Sequence, residues 1–126
     1  MSKNQQNLEF EIEFTDKLIQ ENPDYIDGLI LLGGLLTKDK QYQGALEIDC
    51  RLKDLRPDDP IIFYNLACDY SLLNKKSLSL KALEDSLRLG YKDIDFIFKD
   101  PDLENLRSSK RFPQLIEKYS KISSKV

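Results

Sequence analysis

Two thiols, Cys50 and Cys68, and a run of carboxylates at Asp95, Asp100, Asp102 and Glu104 are the residues of this 126-residue chain best suited to chemistry. A deprotonated thiol is a nucleophile or a metal ligand, and paired carboxylates can divide general-acid from general-base work. The chain contains no histidine. That removes the usual base for a cysteine or serine nucleophile. It also leaves a zinc site with two cysteines far apart in sequence, where structural sites use closely spaced ligand pairs. Asp100 precedes Pro101, the order of a helix cap followed by proline at the first helical position. The expected roles are therefore structural: a cap at Asp100, solvated surface for the other acids and free thiols for both cysteines. No catalytic residue, cofactor or metal is expected.

Composition excludes further classes. Val occurs once, at the C-terminal end, while Leu, Ile, Lys and Glu are abundant, which favours helix over strand. The net charge of −3 offers no global positive field for a phosphate backbone. Lys110, Arg111, Lys118 and Lys121 form a local basic patch without interleaved aromatics, so no nucleic-acid partner is expected. Residues 1–24 carry six acids against two lysines, and residues 107–126 carry six bases against Glu117 alone. The longest apolar run, Leu29 to Leu36, is far short of the ~20 residues that cross a bilayer. The opening MSKNQQNLEF has no apolar core, so no signal peptide and no membrane contact are expected, and the expected compartment is a reducing cytoplasm.

These groups must be positioned by helices, and the helices repeat. Shifting the chain by 34 residues lays Leu29 on Phe63, Leu32 on Leu66, Gly33 on Ala67 and Leu36 on Tyr70. The same shift lays Ala45 on Ser79, Ile48 on Ala82 and Leu55 on Leu89, and, backwards, Phe14 on Ile48 and Leu18 on Leu52. Small residues meet small ones and large apolar residues meet large ones. Phe63, Leu66, Ala67 and Tyr70 recur at helical spacing, as do Ala45, Ile48, Leu52 and Leu55. Lys38-Asp39-Lys40-Gln41 and Asn74-Lys75-Lys76 are the polar breaks, with Asn74 suited to a left-handed turn position. Asp59-Pro60 starts one helix, Asp24 can cap another with Asp27 in its first turn, and Gly90 stops a third. The predicted helices span 8–21, 25–38, 43–56, 60–73, 77–89, 94–98, 101–107 and 110–122, with Pro113 in the opening turn of the last.

A helix-turn-helix period of 34 with this pattern resembles the tetratricopeptide repeat. One unit, 26–59, carries Leu29, Leu32-Gly33, Leu36, Tyr42, Ala45 and Pro57; the next, 60–93, carries Phe63, Leu66-Ala67, Tyr70, Ser79, Leu83 and Ser86. Residues 8–23 resemble the second helix of a preceding half repeat. The stretch FIFKDPDLENLRSSKRFPQLIEKY is similar to the tail that closes short bacterial arrays of this type, with Phe96, Ile97, Leu103, Leu106, Phe112, Leu115 and Ile116 as a cap over 94–122. Two departures from the repeat stand out: Asp49 occupies an apolar position, and Gly90-Tyr91 replaces a terminal Asp-Pro.

The resemblance implies an all-α, right-handed solenoid of antiparallel helix pairs: two full repeats, an N-terminal half repeat and C-terminal capping helices in a single domain, 1–126. Gly33 is then expected where the paired helices cross most closely, and Gly34 on the inner surface. No Gly-Lys-Ser/Thr follows these glycines, which excludes a phosphate loop.

In that family the first helices of successive repeats line a concave groove that takes a peptide or helix of another protein. Carried over, the lining is Asp27, Ile30, Leu31, Gly34, Thr37 and Lys38, then Ile61, Tyr64, Asn65, Cys68, Ser71 and Leu72. Tyr64 is the expected aromatic anchor. Some relatives clamp a chaperone C-terminal carboxylate with a Lys and two Asn. Asn65 matches one Asn, but Ile30 and Gly34 stand at the other two positions, so no such clamp is expected. The expected function is a protein–protein interaction adaptor. The alternatives are a self-assembling scaffold, in which acidic N-terminal and basic C-terminal ends meet as a weak homo-oligomer, or an accessory subunit of an enzyme complex.

Overall fold

A computed structural model describes residues 2–124, and the side chains of residues 2–120. The described residues are helical with no strand, as the all-α expectation requires. They fall into two compact units, one ending at Pro57 and the other beginning at Asp58.

The first unit holds α1 (Lys3–Glu21), α2 (Ile26–Lys38) and α3 (Tyr42–Leu55), with α2 packed on both α1 and α3. α1 starts earlier than its apolar pattern, because the Ser2 hydroxyl accepts from the Gln5 amide and satisfies the first turn. α2 begins without the expected cap. Its N-cap residue is Tyr25, which makes no side-chain cap bond, and Asp24 instead receives Arg51 Nη2 at 2.7 Å. Arg51 Nε also donates to the Pro23 carbonyl, which ties the α1–α2 turn to α3. Lys40 and Asn74 close the turns after α2 and after the first helix of the second unit in the left-handed region, at φ 63° and 59°. Asn74 is suited to that region. Lys40 is not, and no property of its side chain anticipates it.

Gly33 lies against α3 as expected, and Gly34 faces open space. A Cβ at Gly33 would lie 3.3 Å from Asp49 Oδ1 and 3.5 Å from Ile48 Cγ2, both on α3, whereas at Gly34 it would meet nothing within 4 Å. Asp49 is buried beside Gly33. In the second unit the equivalent pair is Ala67 and Leu83, so a smaller residue on one helix accompanies a polar one on the other.

The second unit holds α4 (Pro60–Leu72), α5 (Lys76–Arg88), α6 (Ile94–Lys99), α7 (Glu104–Arg107) and α8 (Arg111–Ser124). Asp59 caps α4 by accepting from the Ile61 amide, and Pro60 opens the helix. At the α4–α5 crossing the Ser79 hydroxyl donates to the Ala67 carbonyl at 2.7 Å. The single helix expected over 101–107 is a 3₁₀ turn, Pro101–Leu103, followed by α7. This turn and α7 pack on α4, and α7 and α8 pack on α5. Of the residues expected to form a cap, Ile97, Leu103, Leu106, Phe112 and Ile116 are buried, Leu115 is partly buried and Phe96 is half exposed. Arg107 Nη1 donates to the carbonyls of Ile97 (2.9 Å) and Asp100 (2.7 Å), and Asn105 Nδ2 to that of Ser71 (2.9 Å). Arg107 and Asn105 of the DPDLENLR stretch thereby tie the tail to itself and to α4 through backbone carbonyls.

Candidate interaction surfaces

The residues expected to line a groove separate into an open set and a covered set. In the first unit, Asp27, Ile30, Leu31, Gly34 and Lys38 are exposed along one side of α2. Ile30 and Leu31 are 50% and 53% exposed, unusual for large aliphatic residues in the most apolar helix of the chain. Thr37 is half buried, and its hydroxyl donates to the Gly33 carbonyl at 3.1 Å. In the second unit, Ile61 and Asn65 are exposed on α4 and Leu72 is partly covered.

Tyr64, Cys68 and Ser71 are buried, which corrects the expectation that Tyr64 is an open anchor. The tail covers it. The Tyr91 ring stacks on Tyr64 with centroids 4.5 Å apart and planes 6° from parallel, and Phe96 lies at 6.1 Å. The Tyr64 hydroxyl donates to Asp100 Oδ2 at 2.6 Å, and the Cys68 thiol approaches the same oxygen at 3.7 Å. Asp100 Oδ1 accepts from the Asp102 amide, so the expected cap at Asp100 is present. Asp100 therefore does two jobs: it caps the 3₁₀ turn and it anchors that turn to α4. The available signal for this was the pairing of Tyr91, just after the Gly90 stop, with a cap motif that must fold back on the last repeat.

The carboxylates of Asp100 and Asp102 and the Cys68 sulfur lie within 4.8 Å of one another. Burial, with the nearby charges of Asp100 and Asp102, pushes the Cys68 thiol well above its ordinary range. Burial and the bond to Asp100 do the same to the Tyr64 phenol. Burial, then Asp100, also raises Asp102. Both oxygens of Asp100 already accept hydrogen bonds from protein donors, and the thiol is held neutral. The cluster is thus built as a hydrogen-bonded link between α4 and the tail, and its thiol is a poor nucleophile.

Elsewhere, Lys110, Arg111 and Lys118 are exposed, with Lys118 within 3.5 Å of Glu84; the Lys121 side chain lies outside the described residues. A hollow of about 560 Å³ at the α1–α2 turn is lined by Leu18, Glu21, Asn22, Pro23, Asp24 and Tyr25. Among the described residues, no helix is long and apolar enough to cross a membrane.

No protein-family model matches the chain. It is 40% identical over 86 residues to a chloroplastic protein of Arabidopsis thaliana, a match covering 66% of this chain and 26% of that protein. The chain thus spans about a quarter of the length of this relative. Its fold is similar to that of MamA 41-end from Desulfovibrio magneticus RS-1, with a TM-score of 0.69 and 17% identity over 94% of this chain and 69% of that one. The MamA RS-1 ArsTM double mutant is similar at a TM-score of 0.69 and 16% identity, over 98% and 71%. At these identities the likeness is one of fold, and the fold is of tetratricopeptide type.

Proposed function

We propose that the chain is a protein-interaction module that binds a peptide or helix of another protein on the open side of α2. The observation that carries this reading is the row Asp27, Ile30, Leu31, Gly34 and Lys38, in which two half-exposed aliphatic residues lie one turn before a glycine with open space above it. Gly34 costs up to ~1 kcal/mol of helix propensity, and unlike Gly33 it has no close-packed neighbour to account for its presence. A site that must admit a partner close to the backbone accounts for it. The fold is used widely for such binding, and the match to a quarter of a longer relative fits a module that also occurs inside larger proteins. Ile30 and Gly34 give no cation for a terminal carboxylate, so the segment is held by apolar contact, with Asp27 and Lys38 setting its polarity at either end.

A photocrosslinking amino acid placed at Leu31 tests the reading in native lysate, with the same amino acid at exposed Glu47 as the control. A defined partner should crosslink from position 31 and disappear when Gly34→Arg is added, while far-UV circular dichroism is unchanged. Equal crosslinking from both positions refutes the proposal.

A further inference from the structure

α1 buries one face and leaves a second one uncovered. Leu8, Thr15 and Ile19 are buried, and the Ile19 side chain lies against Gly28 of α2. On the flank, Phe10 and Phe14 are 68% and 62% exposed and stack on each other, one turn apart, with ring centroids at 6.3 Å. Two phenylalanines this exposed on one turn form an apolar ridge that a solvated helix has no use for.

The repeat register says which face this is. Phe14 corresponds to Ile48 and Phe10 to Gly44, and both of those positions on α3 face the preceding helix of their own pair. A Cβ at Gly33 of α2 would lie 3.5 Å from Ile48, and one at Gly44 would lie 3.5 Å from Leu36 of α2. The ridge is therefore the side of α1 on which a preceding helix would lie. Glu11 adds a chemical condition. It corresponds to Ala45 and Ser79, each fully buried at the crossing of its pair, and Ser79 there donates to a carbonyl of the facing helix. A carboxylate at that position offers no donor and repels a carbonyl placed as that of Ala67 is against Ser79, which disfavours a neutral helix seated there as α4 is. A cation on the arriving helix reverses the sign of that interaction. Exposed Glu9 and Glu13 flank the ridge, so three acids surround it against Lys17 at its C-terminal end.

We infer that the Phe10–Phe14 ridge of α1 is a docking site for an amphipathic helix of a partner protein, one whose apolar stripe packs on the two rings and whose lysine or arginine meets Glu11. A second copy of the chain is a poor occupant. Its basic helix, α8, already spends Phe112 and Ile116 inside its own unit, and Lys118 already faces Glu84. This surface is separate from the open side of α2, so either assignment can fail without the other.

The probe is a fluorescein-labelled, end-blocked helical peptide, LKKLLKLLKKLLKL, with LEELLELLEELLEL as its charge-reversed twin, read by fluorescence anisotropy against the full chain. The lysine peptide should bind the wild-type chain and the glutamate twin should not. Affinity should fall about tenfold or more, roughly the loss of one good apolar or ionic contact, in Phe10→Ser/Phe14→Ser and again in Glu11→Lys. Glu47→Lys, an exposed acid on α3, should change it far less. All substituted side chains are exposed, and circular dichroism verifies the folds. The inference is overturned if the lysine peptide does not bind, if the glutamate twin binds equally, or if the serine variant or Glu11→Lys binds like wild type. Light scattering that shows a dimer lost in the serine variant would assign the ridge to a second copy and overturn it as well.

Discussion

The Tyr64 hydroxyl donates to Asp100 Oδ2 across 2.6 Å, joining residues 36 positions apart. This bond turns a residue of the last complete helix pair from a surface anchor into part of the interior. It is also why the tail stays on α4: the carboxylate that holds Tyr64 is the same one that starts the 3₁₀ turn at Pro101.

Tyr64→Phe should keep the stack on Tyr91 and remove only the donor. The Asp100 oxygen, buried and left with the weak thiol donor, should cost the second unit about 1–3 kcal/mol. Tyr64→Ala removes the stack as well and should cost about 3–5 kcal/mol. Urea denaturation of both variants measures the difference. Equal stability of Tyr64→Phe and wild type would show that the bond contributes nothing.

The fold should weaken in alkali. Cys68 and Tyr64 titrate at ordinary values of 9.0 and 10.0 when unfolded, and both are raised in the fold, chiefly by burial. Above those values the unfolded chain has released protons that the folded chain keeps. The folded state then binds more protons, and stability falls as pH rises. The urea midpoint should be level from neutral pH to about 9 and decline beyond it. Tyr64→Phe should show a shallower decline above about pH 10, because the Tyr64 contribution is removed while those of Cys68 and of Tyr91, also raised by burial, remain.

The two central glycines should respond oppositely to a methyl group. Gly34→Ala meets open space and should stabilise the first unit by ~0.5–1 kcal/mol through helix propensity. Gly33→Ala pushes on Asp49 Oδ1 at 3.3 Å and should yield no gain or a loss. Thermal melts of the two variants decide the order, and a higher melting temperature for Gly33→Ala than for Gly34→Ala contradicts the packing described for α2 and α3.

The two free thiols should separate by reactivity. Cys68 is buried and held neutral, whereas Cys50 is only partly covered. At pH 8 a maleimide should modify Cys50 well before Cys68, and urea should bring Cys68 to the same rate. Peptide mapping of the modified sites distinguishes them; faster labelling of Cys68 in the native chain would contradict its burial.

Local chemistry determined the helices. The apolar positions of α2 to α5 recur at helical spacing, and their stops at Asn74 and Gly90 rest on backbone preferences of single residues, so a linear reading finds them. The repeat register separated Gly33 from Gly34 because it compares equivalent positions in two pairs. Leu103, Leu106 and Phe112 were legible as a cap since large apolar residues beyond the last pair must be buried somewhere. Tertiary structure decided the polar partners. Asp24 meets Arg51 in place of an amide, and Tyr64 meets Asp100, because each such bond joins segments distant in sequence whose approach is set by the packing around them. It also decided which apolar residues stay outside: Phe14 shares a register with Ile48, but only Ile48 has a facing helix within the first unit, so the same kind of side chain is packed at one position and open at the other.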